Sequence, residues 1–304
     1  MREIKSAVIT GPTGAIGTAL CGLLVKNGVH VYAVCRPDSK KICNIPHGAE
    51  IIECDLSSLT LLKDKITSQV DAFFHFGWQG TTGESRNNML LQNDNVKFAL
   101  DAAHAAYSLS CKVFITSGSQ AEYGRVNGTI TTSTPCFPEN GYGMAKLCAG
   151  QMCRVECEKL GMDFIHTRIL SVYGPHDGAN SMISSVIRAL LNREKPSLTA
   201  GNQMWDYLYS DDAARALYLL AQKGISEKTY VLANGKSKKL KEYVEILRDS
   251  INPSLTLNFG EIDVKNPVSL EADISDLTND TGFVPEIDFQ TGILKTIEYL
   301  KRSL

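Results

Sequence analysis

The stretch Ala7-Val8-Ile9-Thr10-Gly11-Pro12-Thr13-Gly14-Ala15-Ile16-Gly17 decides the fold. Residues 7–10 are apolar or β-branched and read as a buried strand. Glycines follow at 11, 14 and 17, and a helix pattern begins at about Ala15 and runs to Lys26. An ordinary strand-to-helix turn needs one glycine. Here there are three, at the spacing G-x-x-G-x-x-G, and each has its own use. Gly11 allows the tight turn, Gly14 lets the backbone approach a pyrophosphate, and Gly17 lets helix and strand pack closely. The helix start adds its partial positive charge, so the backbone of Gly11, Thr13, Gly14, Ala15, Ile16 and Gly17 is expected to cradle a dinucleotide.

Outward from this turn the chain alternates. Strand patterns fall at 29–35, 50–54, 72–76, 112–116 and 163–170, with long helix patterns at 88–107 and 142–160. The strands are near-continuous apolar runs, as expected when helices cover both faces of a parallel sheet. The expected fold is α/β: a Rossmann-type doubly wound parallel sheet with a smaller C-terminal substrate-binding lobe. Residues 1–172 form the dinucleotide-binding part. Residues 173–304 form mainly the lobe, with segments around 205–235 able to return to the main sheet. In this last part short strands are expected at 229–232 and 254–257, and helices at 211–222, 239–250 and 289–302.

Composition narrows the partners. The 304 residues are 43% apolar and 21% charged, with a net charge of −2, which is ordinary for a globular protein and gives no basic surface for nucleic acid. No apolar run approaches the roughly 20 residues that span a bilayer. Met1-Arg2-Glu3-Ile4-Lys5 leads directly into the first strand without the longer apolar stretch of a secretory signal, so a cytoplasmic protein is expected. The nine cysteines are odd in number and scattered. Cys148, Cys153 and Cys157 can share a helix face but lack a fourth ligand, and no metal site is expected.

Proton chemistry is legible at two places. Tyr142 and Lys146 stand four apart at a helix start, on one face. A neighbouring ammonium favours the phenolate, so such a couple can exchange a proton with an alcohol as hydride moves. The fifth strand leads into Ser117-Gly118-Ser119-Gln120, and a serine at that sheet edge can bond a reacting oxygen. The second strand ends Val34-Cys35-Arg36-Pro37. An acid there would bond the adenosine ribose of NAD; Arg36 instead suits the 2′-phosphate of NADP, or is a surface charge. Asp55 could accept from adenine or cap the next helix.

Taken together these residues resemble the extended branch of the short-chain dehydrogenase/reductase superfamily, and more narrowly its NAD-dependent epimerase/dehydratase family, which acts on nucleotide sugars. The likeness runs through GPTGAIG at 11–17, Asp55, His75-Phe76-Gly77-Trp78, Asn95-Val96, SGSQAEYG at 117–124, YGMAK at 142–146, the segment 168–175 and the segment 205–212. It implies that Ser119, Tyr142 and Lys146 are catalytic, with Lys146 also on the nicotinamide ribose. It implies that Leu56, Phe76, Gly77, Trp78, Asn95, Ser117 and Leu170 join the cofactor site. It implies that Ser119, Gln120, Ser171 and Trp205 meet the substrate. It further implies a homodimer through the helices near 88–107 and 142–160, where Ala99, Ala102, Ala103 and Ala106 permit close packing, unless they serve ordinary helix-to-sheet packing.

Departures from the family pattern narrow the reaction. Gln120-Ala121 stands where sugar dehydratases carry an acid and a base, so dehydration is disfavoured. Ser171 replaces a common Asn, and Trp205 a common Arg. Two expectations remain: an NAD(P)-dependent nucleotide-sugar epimerase working at a sugar carbon, C4 by the resemblance, or an NADPH-dependent reductase of a nucleotide-4-keto-6-deoxysugar. A non-catalytic dinucleotide sensor is the expectation from another class.

Overall fold

The glycine turn leaves strand β1 (Ser6–Thr10) and enters helix α1 (Ala15–Lys26). In this computed structural model, which describes residues 1–302, β1 lies in the middle of a parallel sheet. The other strands are β2 (His30–Cys35), β3 (Glu50–Glu53), β4 (Ala72–His75), β5 (Val113–Ser119), β6 (Asp163–Ile169) and β7 (Thr229–Leu232). Among the described residues the sheet has seven strands in the order β7-β6-β5-β4-β1-β2-β3, each neighbouring pair parallel. Sheet growth reverses between β3 and β4. A crevice therefore opens where β1 and β4 end, the place where such sheets bind ligands.

Register separates the two faces. Val8, Phe73, Phe114 and Phe164 form one row across β1, β4, β5 and β6, and Ile9, Phe74, Ile115 and Ile165 form the next. Successive residues of a strand point to opposite faces. The first row packs with Ala99, Ala102 and Ala106 of helix α2 (Met89–Ser108) and Ala149, Cys153 and Cys157 of helix α3 (Gly141–Leu160). The second packs with Leu20 and Leu24 of α1 and Leu217 and Leu220 of helix α4 (Ser210–Lys223). Each large apolar side chain so buried contributes about 1.5–3 kcal/mol. The small residues of α2 serve this internal packing: Ala99, Ala102, Ala103 and Ala106 are buried within the chain rather than set on its outer face.

Two residues further along the same face the row turns polar. Thr10, His75, Thr116 and His166 stand in register. Thr10 Oγ1 lies 3.0 Å from His75 Nδ1 and accepts the N–H groups of Phe76 and Gly77 at 3.1 and 3.0 Å. One hydroxyl thus fastens the chain leaving β4 to the end of β1. Burial, helped by the Lys146 charge, pushes His75 down to about 3, so its ring is neutral.

The C-terminal lobe has its own core. Helices Met182–Leu191, Leu240–Ile251 and Phe289–Lys301 enclose Tyr173, Tyr207, Tyr243 and Phe289. Helix Met182–Leu191 escaped the sequence reading; Ser181 caps it, accepting from Ser184 N at 3.2 Å. The strand expected at 254–257 does not form. Asn252 closes a turn there, its side chain accepting from Ser254 N at 3.0 Å, and the strand is Asn258–Phe259 beside Ser197–Leu198. Between these parts the chain returns to the main sheet, α4 against α1 and β7 beside β6.

Among the described residues no helix is long and apolar enough to cross a membrane, and no cluster of histidine, cysteine and acidic residues could hold a metal ion. The nine cysteines are unpaired.

Candidate active site

Each glycine of the turn has a distinct environment. Gly11 has φ +71°, a left-handed conformation that side chains disfavour. A Cβ on Gly17 would fall 2.2 Å from the Gly11 carbonyl oxygen, so α1 sits as close to the turn as a bare backbone permits. A Cβ on Gly14 would meet nothing within 4 Å, because Gly14 faces open space in the cleft. Gly14 also begins α1 with no side chain capping it. Uncapped N–H groups beside an open cradle suit an anion, and the residues fit a pyrophosphate.

Two cavities meet at Gly11 and Trp78. The outer one, about 590 Å³, is lined by Thr13, Val34, Cys35, Arg36, Asp55, Leu56, Gly77 and others. Arg36 is exposed at the end of β2 and lines it. The Asp55 carboxylate accepts from Ser57 N at 3.0 Å and Ser57 Oγ at 2.8 Å, so it caps the turn that follows β3 while lining the cavity. The inner cavity, about 360 Å³, is lined by the glycine turn, Phe76, Trp78, Ser117, Ser119, Tyr142, Lys146, Leu170, Asp177 and others.

The three proton-handling candidates converge on this inner cavity. Ser119 is the last residue of β5, and its Oγ accepts from Ala121 N at 3.2 Å. Asn140 caps α3, accepting from Gly143 N at 2.9 Å, which sets Tyr142 in the first turn. Burial raises the Tyr142 phenol above its ordinary value, against the opposing effects of a hydrogen bond with Ser119 and the Arg86 charge. The spacing of Tyr142 and Lys146 suggested an ammonium beside the phenol, but the geometry differs. Lys146 Nζ donates to the Ser117 carbonyl at 2.7 Å and to Ser117 Oγ at 3.1 Å. It stands 3.8 Å from the Trp78 ring centroid and 5.8 Å from that of Tyr142. The cation close over the Tyr142 ring is Arg86, at 4.4 Å. Burial lowers Lys146 to about 7, with the Glu122 charge opposing, so the side chain can shed or take a proton near neutrality.

Other expected residues lie elsewhere. Asn95 is buried under the loop after β4, its side chain bonded to Gln79 N at 2.8 Å and Gln79 O at 2.9 Å, and it lines neither cavity. Gln120, Ser171 and Trp205 do not line the cleft either; Trp205 packs on Tyr207, with ring centroids 6.2 Å apart. Arg86, Glu122 and Asp177 went unnoticed in the sequence. A turn residue such as Arg86 carries no periodic signal, and its contact with Tyr142 spans 56 positions.

An open parallel sheet with a glycine cradle at its reversal point, opening onto a Ser-Tyr-Lys cluster, defines a Rossmann-type dinucleotide-binding protein. Comparison with known proteins refines this. The model of the NAD dependent epimerase/dehydratase family matches residues 7–233, and the chain belongs to that family. CDP-abequose synthase of Salmonella muenchen is 26% identical over 307 residues, covering 96% of this chain and 97% of that protein. A protein described as an uncharacterized UDP-glucose epimerase of Bacillus subtilis (strain 168) is 22% identical over 313 residues, with coverage of 96% and 97%. Among solved structures, UDP-N-acetylglucosamine 4-epimerase from Methanobrevibacter ruminantium M1, in complex with UDP-N-acetylmuramic acid, matches with a TM-score of 0.89 at 25% identity over 100% of both chains.

Proposed function

We propose that this protein is an NAD(P)-dependent nucleotide-sugar epimerase acting at sugar C4, with Tyr142 passing the proton. The carrying observation is the convergence of Ser119, Tyr142 and Lys146 on one cavity that continues into the glycine cradle. A bound nicotinamide supplies hydride transfer. The chain's own part is to bond the reacting oxygen through Ser119 Oγ, to exchange its proton through Tyr142, and to replenish that proton through Lys146. Dehydration is disfavoured, since no acid–base pair follows Ser119. Relatives named for UDP-glucose and UDP-N-acetylglucosamine epimerisation support this substrate class.

The test is to incubate the purified protein with UDP-glucose and UDP-N-acetylglucosamine and follow the sugar signals by NMR. Interconversion of 4-epimers, with NAD retained by the gently denatured protein in mass spectrometry, is the expected result. No turnover of either sugar would overturn the reading.

A second reading, an NADPH-dependent reductase of nucleotide-4-keto-6-deoxysugars, is favoured by Arg36. It lines the outer cavity where Cys35, and no carboxylate, ends β2. NADPH is therefore expected to bind more tightly than NADH, with the preference lost in Arg36→Ala. Charge-assisted bonds to a phosphate contribute about 1.5–3 kcal/mol, or roughly one to two powers of ten in affinity. Equal affinities in the parent, or an unchanged ratio in the variant, would make Arg36 a surface charge only.

A homodimer across α2 and α3 also belongs to the proposal. Leu90, Tyr107, Met144, Met152 and Val155 are exposed along these two helices and give such a contact its apolar area.

A further inference from the structure

Behind Ser119 lies a charged group that the reaction as described does not use. Glu122 ends the short turn Gln120–Glu122 after β5 and is 0% exposed. Its Oε1 accepts the backbone N–H of Ser119 at 2.8 Å, and its Oε2 accepts from Arg168 Nε at 2.9 Å. His166 Nε2 lies 3.2 Å from both oxygens. A carboxylate only accepts, so Nε2 carries a proton and Nδ1 is left to Thr116 Oγ1 at 2.8 Å. Burial pushes the Glu122 carboxyl up, but His166, Arg168 and the Ser119 N–H outweigh it, and the net direction is down.

The surroundings are cut to fit this group. A Cβ on Gly118 would fall 2.2 Å from Glu122 Oε1, and one on Gly150 would fall 2.6 Å from His166 Cε1. The Arg168 guanidinium sits over the Tyr123 ring at 4.7 Å. A buried ion pair is a poor stabiliser, because desolvation offsets most of its attraction and apolar residues of similar volume do as well. Its position is more telling. It bonds the main chain of Ser119, and its charge is felt at Lys146 and Tyr142 on α3.

We propose that Glu122 is a positioning residue of this active site: with Arg168 and His166 it fixes the turn that presents the Ser119 hydroxyl to the cleft. This rests on the reading of Ser119, Tyr142 and Lys146 as the reacting groups. The groups facing the assembly are His166 and Arg168 from β6, Tyr123 and Cys136 beyond the turn, and Tyr142 and Lys146 from α3. His75 of β4 faces Lys146, and Arg86 faces Tyr142.

Glu122→Gln keeps an acceptor for Ser119 N–H and removes the charge. Lys146 then loses a stabilising anion, so its titration moves to lower pH and the neutral amine gains at pH 7. The direct readout is the Lys146 signal in NMR spectra of protein labelled at lysine Cε, identified by its disappearance in Lys146→Met and titrated without substrate. Its midpoint is expected at lower pH in Glu122→Gln. The alkaline limb of kcat against pH with UDP-glucose is expected to move the same way, with kcat at pH 7 down on the order of ten-fold.

Parental kcat together with an unmoved Lys146 midpoint in folded Glu122→Gln would overturn the proposal, even if the melting temperature fell, because Glu122 would then be structural only. Should the single variant fail to fold, Glu122→Asp keeps the charge but shortens its reach to the Ser119 N–H; it is expected to lower kcat, and parental kcat in it would overturn the proposal. A shifted midpoint in a protein that never turns over UDP-sugars would sustain the electrostatic role and refute the substrate reading instead.

Discussion

Tyr142→Phe is expected to lower turnover of a nucleotide sugar by about two to four powers of ten, with dinucleotide affinity unchanged. The loss corresponds to roughly 3–5 kcal/mol of transition-state stabilisation. The substitution deletes one oxygen and keeps the ring. The ring contacts hold the side chain in place: Arg86 at 4.4 Å over its face and Trp78 edge-on at 6.2 Å. What goes is the hydroxyl of a side chain that lines the same cavity as Ser119. Lys146 cannot substitute directly, because its Nζ is held by Ser117 and lies 5.8 Å from the ring centre. Burial holds the phenol above its ordinary value, against the opposing Arg86 charge. A steady-state assay beside a calorimetric titration of NAD separates the two effects, and near-parental turnover in the variant would remove Tyr142 from the chemistry.

Gly17→Ala is expected to abolish tight dinucleotide binding and to destabilise the fold by about 1–3 kcal/mol. The new methyl would lie 2.2 Å from the Gly11 carbonyl oxygen and 2.8 Å from Pro12 Cα. Both obstacles are backbone, so relief requires α1 to move off the turn, and its N-terminus leaves the cradle with it. Gly14→Ala is the control. Its methyl meets nothing within 4 Å and enters the cleft, so binding should weaken while the melting temperature holds. Thermal denaturation and NAD titration on both variants give the comparison. A Gly17→Ala protein with parental stability and affinity would show that the close approach of helix and turn carries no weight.

The order of strands along the chain was legible because each signal is local. Residues 7–17 spell strand, turn and helix in one unbroken run, and the apolar rows of β4, β5 and β6 are continuous in sequence. Tyr142 and Lys146 were legible for the same reason, standing one helical turn apart. Their partners were not. Lys146 bonds Ser117, 29 positions away, and Glu122 meets His166 and Arg168 at separations of 44 and 46. Such encounters depend on which strands become neighbours, and no periodicity records that. The strand expected at 254–257 failed for a local reason that outranked β propensity: Asn252 and Pro253 open a side-chain-closed turn at Ser254. Gln120, Ser171 and Trp205 took their roles from resemblance alone, and the cleft is lined instead by neighbours such as Asp177 and Val172.

The late arrival of β7 has a consequence for synthesis on the ribosome. A nascent chain that has extruded β1 to β6 still lacks residues 210–232, which supply α4 and β7. Until they emerge, β6 offers the unpaired main-chain groups that later bond β7, and Leu20 and Leu24 of α1 lack their cover of Leu217 and Leu220. An open strand edge beside an uncovered apolar helix is a template for association with other chains. The segment that completes the sheet thus also closes the edge on which the growing polypeptide could pair with other chains.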